Sequence, residues 1–249
     1  MTFLHQPALA QGQIAAALQW WRDAGVEHVF ADAPANWLAQ PVADEPAAAT
    51  VFTPPAPKPP PPVARIGGAA DAWPQDLAAF QTWWMAEPAL DGGQIAGRVP
   101  PRGEQGAALM ILVDHPEAGD THTLLAGPQG KLIAALLSAL GIAPAAAYVA
   151  AVLPRQMPMA DWDALGAAGI GELARHHAAL AVPSRLISFG SHVSSLLGHD
   201  PANRPPELAH LYHAGGAIPA LAAPGLETLL ARPRAKARLW QALLDWQQG

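Results

Sequence analysis

The chain has 249 residues, enough for one large domain or a medium domain with an appendage, and is rich in Ala and Pro, with 27 prolines. Its formal net charge is −6, so composition does not advertise a phosphate-tracking surface, although a local basic face is compatible with an acidic total. There are no cysteines, which excludes disulfides, thiolate zinc sites and Cys-ligated iron-sulfur clusters.

The start of the chain lacks a basic stretch followed by a long apolar run, and no segment is apolar for the length of a membrane span, so a soluble cytoplasmic protein is expected. Residues 11–25 carry apolar side chains at helical spacing and stop at Gly25, a helix-terminating signal. Residues 1–40 are therefore expected to form a small helical extension. The Pro run at 54–62 lacks backbone donors and favours polyproline II, so 41–68 is expected to be a semi-rigid linker. The main domain is expected over 69–249.

Within it, 73–87 is expected to be a helix with Ala79, Phe80, Trp83 and Trp84 on or near one face. Apolar runs at 107–113, 147–153, 185–189 and 217–222 then alternate with helical patterns at 130–140, 161–180, 191–197 and 235–246. Short buried strands separated by helices imply an α/β protein with three layers, α/β/α, around a mostly parallel four-stranded sheet. In such sheets chemistry gathers beyond the carboxyl ends of the strands, which directs attention to the loops after Val113, Leu153, Phe189 and Ala222.

The first of these loops, Val113-Asp-His-Pro-Glu-Ala-Gly-Asp120, offers a carboxylate, Asp114, beside His115 and Pro116. Asp114, His115, Glu117, Asp120 and His122 can also be read simply as polar residues of a strand-end loop. Asp114, His115 and His122 form one conceivable metal set. Two others are His210 with His213, an i, i+3 pair if that stretch is helical, and His176 with His177, whose side chains diverge on a helix. The loop Gly190-Ser-His192 opens a helix and suits either phosphate contact through backbone amides or capping by the serine. Trp20, Trp21, Trp83 and Trp84 are available for a partner surface or for core packing.

These motifs, in order, resemble the iron-sulfur type of bacterial uracil-DNA glycosylases. The clearest stretch is Ile218-Pro-Ala-Leu-Ala-Ala-Pro-Gly-Leu-Glu-Thr-Leu-Leu-Ala-Arg-Pro233 with Lys236 and Trp240, which resembles that family's last motif without a gap. In this register the family's catalytic His falls on Gly225. Asp114 and Pro116 stand where the family has its Glu and Pro, Gly127 keeps a turn glycine, and Leu125 stands at the base-stacking aromatic position. Ala151 stands at the base-reading Asn position. The extension before the Pro run resembles one common in proteobacterial members.

The resemblance implies a uracil-DNA glycosylase-like α/β/α fold. It also implies a substrate pocket involving Pro116, Leu125, Gly127, Ala151, Gly190, Ser191 and Gly225, with Asp114 activating water in an active member and His115 or His192 taking over the lost imidazole's role. With the cluster cysteines, the stacking aromatic, the Asn and the His all changed, it implies a degenerate member without a cofactor, retained for binding DNA or a DNA-repair protein. An active divergent glycosylase is the alternative, and a metal-dependent hydrolase built on the strand-end His and Asp residues is a third.

Overall fold

The computed structural model describes residues 7–25, 64–199, 206–213 and 215–248, which fall into two units considered separately. The Pro run at 54–62 and the extension beyond Gly25 lie outside the described residues. In the first unit, helix α1 spans Pro7–Asp23, beginning earlier than the apolar spacing indicates. It closes through Gly25, whose φ of 82° is the left-handed conformation that glycine tolerates. Ile14, Leu18, Trp20 and Trp21 are exposed along it.

In the second unit Ile66 is already buried, and its amide donates to the carbonyl of Ala168. Helix α2, Leu77–Ala86, is started by Asp76, whose side chain accepts from the Ala79 amide at 2.9 Å. Its buried face is Leu77, Phe80 and Trp84, spaced i, i+3, i+7. A single buried carboxylate, Asp91, then receives Arg98 at 2.7 Å and Arg155 at 3.0 Å. Arg98 also donates to the carbonyls of Trp84, Glu87 and Gln94, so its guanidinium is satisfied inside the fold and ties the segment after α2 to the body.

The sheet has five strands in the order β2-β1-β3-β5-β4, formed by β1 Leu109–Val113, β2 Ala147–Ala151, β3 Leu186–Phe189, β4 Glu207–His213 and β5 Gly216–Ala223. β1, β2, β3 and β5 run parallel, in registers such as Leu109 opposite Ala147 and Ile187 opposite Leu221. These four correspond to the four apolar runs in the sequence. The fifth strand, β4, is an addition to the expected four and pairs antiparallel with β5, placing Leu211 opposite Ile218. It is an edge strand with Leu211 as its one buried residue, so it carries no apolar run. His210 and His213 therefore lie on a strand rather than a helix and, three apart, project from opposite faces.

Alternation along the strands divides the core in two. Met110, Leu112, Tyr148 and Leu186 pack with Phe80, Trp84, Leu173 and Val193 on one face. Leu109, Ile111, Val113, Ile187 and Leu221 pack with Ile133, Leu137, Leu229, Leu239 and Leu243 on the other. Helices thus cover both faces: α2, α5 (Ile170–Ala181) and α6 (Ser191–Leu196) on the first, α3 (Pro128–Ala139), α7 (Leu226–Ala231) and α8 (Pro233–Gln248) on the second. The helix expected over 161–180 is two helices, α4 (Trp162–Ala167) and α5, divided at Gly169 with φ 93°. Among the described residues no helix is long and apolar enough to cross a membrane.

Candidate functional site at the strand ends

Because β2, β1, β3 and β5 are parallel, the loops that follow them leave from one edge of the sheet. There they enclose a cleft of about 440 Å³. After β1 come Asp114 and His115; after β2, Gln156, Pro158 and Trp162; after β3, Gly190, Ser191 and His192; after β5, Gly225, Leu226, Glu227 and Thr228. Gln129, from the first turn of α3, completes the lining. Of the residues singled out from the sequence, Asp114, His115, Gly190, Ser191, His192 and Gly225 meet here.

Asp114 is half-buried, and its Oδ1 accepts from the backbone amide of His115 at 2.9 Å, while its Oδ2 takes part in no hydrogen bond among the described residues. The Nδ1 of His115 lies 2.9 Å from the carbonyl of Pro116, so Nδ1 carries a proton and donates it there. The His192 imidazole stacks on the Trp162 indole with centroids 5.2 Å apart and 7° between planes. Trp162 reaches the cleft because Asp161 caps α4, accepting from Ala164 at 3.0 Å, and so holds the indole at the first helical position. Gly190 is the N-cap of α6, and no side chain caps that helix. Ser191 is exposed, contrary to the serine-capping expectation; the Ser194 hydroxyl donates to the Gly190 carbonyl at 3.0 Å instead.

Four expected pocket residues do not line the cleft. Pro116 is buried beneath the first loop, and Ala151, at the end of β2, is packed into the second-face core. Leu125 is drawn into the same core. Its amide donates to Asp120 at 2.7 Å, and Asp120, itself buried, also accepts from Glu117 at 2.9 Å and Ala126 at 2.8 Å. This holds Leu125 at φ 56° with its side chain inward. Gly127 is taken up by Glu117, whose carboxylate accepts from the amides of Gly127 at 2.9 Å and Gln129 at 3.0 Å at the start of α3. The acids of this loop other than Asp114 are thus consumed in holding backbone.

The other polar groups weighed for metal binding are likewise occupied or dispersed. His176 Nε2 lies 2.8 Å from the Pro74 carbonyl. His177 is buried, with Nε2 2.7 Å from the Tyr148 hydroxyl, which itself receives Gln81 at 3.2 Å. Burial pushes the His177 imidazole down to about 3, with His176 acting in the same sense, and pushes the Tyr148 phenol up to about 12 against the opposing Gln81 hydrogen bond. The pair is therefore neutral, the phenol donating to the imidazole. Among the described residues no group of three His, Asp or Glu side chains is placed to hold a metal ion.

Asp114 and Glu227 line the cleft, and no Lys or Arg among the described residues does. Arg232, Arg234, Lys236 and Arg238 follow α7 in the chain, outside the cleft lining, and all four are exposed. A separate groove of about 210 Å³ between α3, α7 and α8 is walled by Leu132, Leu136, Leu229, Leu239 and Trp240, and offers no acid, imidazole or amide side chain. Gln129, Gln156, Trp162, Glu227 and Thr228 carry no motif in the sequence and are brought to the cleft by the fold alone. The chain matches no protein-family model and no curated protein.

Proposed function

We propose that the protein is a uracil-DNA glycosylase-like nucleobase-binding domain, one that takes a base from single-stranded or damaged DNA into the strand-end cleft without excising uracil efficiently. In this reading the four parallel strands are the core of the fold and β4 is an added edge. The observation that carries the proposal is the meeting of Asp114, Gly190, His192 and Gly225, from the ends of three different strands, around one cleft in which position 225 has no side chain.

The cleft's inventory suits a planar polar ring. Trp162 and His192, stacked on each other, put aromatic rings in the cleft lining, and stacking is sequence-tolerant and strong for extruded bases. The amides of Gln129 and Gln156 each offer both a donor and an acceptor, the combination that a base edge requires and that Ala151 lacks. Arg232, Arg234, Lys236 and Arg238 supply the phosphate contacts that the cleft itself does not. Hydrolysis is a different matter. Departure of uracil places negative charge on the base, which a donor at position 225 would stabilise and a glycine does not.

One observation favours the active alternative: the Oδ2 of Asp114, which takes part in no hydrogen bond among the described residues, is a candidate to orient water. Both readings predict binding, so the first experiment measures it. A labelled single-stranded oligonucleotide is expected to bind with an affinity that falls as salt rises, the slope being about −0.7 for each phosphate neutralised. Replacing Arg234 and Arg238 together by Ala should flatten that slope. No binding at low salt would remove the DNA-binding reading altogether.

A further inference from the structure

We propose that the base preferred by this cleft is a positively charged one, an N-alkylated purine or pyrimidine ring. The inference rests on the base-binding reading above and specifies its ligand. Its ground is the way charge and aromatic surface are combined in one place.

Asp114 and Glu227 both line the cleft, beside the imidazoles of His115 and His192, and no Lys or Arg among the described residues lines it. Asp114 is half-buried, so its field within the cleft is screened less than that of a surface carboxylate. Trp162 and His192 both line the cleft, and a cationic ring laid on the indole face gains an electrostatic attraction that a neutral ring lacks. A neutral base keeps the stacking and the amide contacts of Gln129 and Gln156 but forgoes both charge terms. The phosphates of a strand, by contrast, find their counter-charges outside the cleft, at Arg232, Arg234, Lys236 and Arg238.

Such a ring can arrive as a free nucleoside or as a damaged base within a strand, and the test separates the two. Affinities of the full-length protein are measured for 1-methyladenosine, which is cationic at neutral pH, and for adenosine. The same pair of bases is then measured within a single-stranded decamer. The methylated base is expected to bind about tenfold more tightly than its parent in both forms. The decamers should bind more tightly than the nucleosides, and only they should weaken strongly with salt. Asp114→Asn combined with Glu227→Gln should abolish the preference while adenine still binds; Glu227 is exposed, so Glu227→Gln alone provides a folded variant in which the preference is reduced.

A methyl preference seen only with nucleosides, with no gain in the decamer, supports the cationic-ring inference and assigns the ligand to the free nucleoside. Equal affinity for 1-methyladenosine and adenosine overturns the inference and leaves base binding standing. Failure of every nucleoside and decamer to bind overturns both.

Discussion

A β-carbon placed on Gly225 would meet only the Cα of Gly190, at 3.8 Å, which is ordinary contact. Gly225 has φ −56° and ψ 146°, a conformation open to any residue. Neither space nor backbone therefore demands glycine there. Gly190 differs, since its φ of 104° is one that side chains rarely adopt. The fold therefore leaves position 225 open to a side chain, whereas the glycine at 190 is required by the turn.

Gly130 is a glycine that the fold does require. A β-carbon there would fall 1.8 Å from the carbonyl oxygen of Leu125, a backbone atom held in place through Asp120. Gly130→Ala should destabilise the protein by about 3 kcal/mol or more, because neither α3 nor the loop can yield cheaply. Urea unfolding would measure it, and a stability within about 0.5 kcal/mol of the parent, the ordinary range for an innocuous substitution, would contradict the argument.

Asp120 organises the loop before α3 by accepting from three backbone amides. Asp120→Ala leaves those donors without their acceptor, at an expected cost of about 3 kcal/mol. The loss should be local in its first effect. Hydrogen exchange is expected to accelerate at the amides of Leu125 and Ala126, and unchanged exchange there would show that the carboxylate does not hold the loop.

Stability should fall on both sides of neutrality for reasons centred on one buried pair. The unfolded His177 imidazole binds a proton below about 6.5, whereas the folded one does not until about 3, so its contribution is complete above 6.5 and declines as pH falls from 6.5 towards 3. Folded Tyr148 keeps its proton to about 12 while the unfolded phenol releases it near 10, so stability declines again as pH rises from 10 to 12. Each limb has a limiting slope of about 1.4 kcal/mol per pH unit. His177→Phe should reduce the acid slope between roughly pH 6 and roughly pH 4, the middle of the His177 window. An unaltered slope in urea-unfolding midpoints would assign acid sensitivity elsewhere.

Much of this molecule is legible in its sequence wherever burial is two-sided. The runs containing Ile111, Val149, Ile187 and Leu221 announce parallel strands because both faces of each are covered. The positions of their carboxyl ends along the chain are enough to direct attention to Asp114, Gly190, His192 and Gly225. β4 escapes notice because it is an edge with Leu211 as its one buried residue. Trp162 and Gln156 carry no motif, and only the path of the chain after β2 brings them to the cleft. Leu125 is withdrawn from the cleft by a hydrogen bond to Asp120, five residues earlier, which spacing alone does not reveal.

The central claim, that this cleft holds a base but lacks the group needed to release uracil, is tested most directly by counting abasic sites formed in uracil-containing single-stranded DNA. The protein should leave uracil in place, while Gly225→His, whose backbone conformation and β-carbon the site admits, should raise excision by about two orders of magnitude, in line with a restored transition-state donor. Rapid excision by the unaltered protein, lost on Asp114→Asn, would contradict the account.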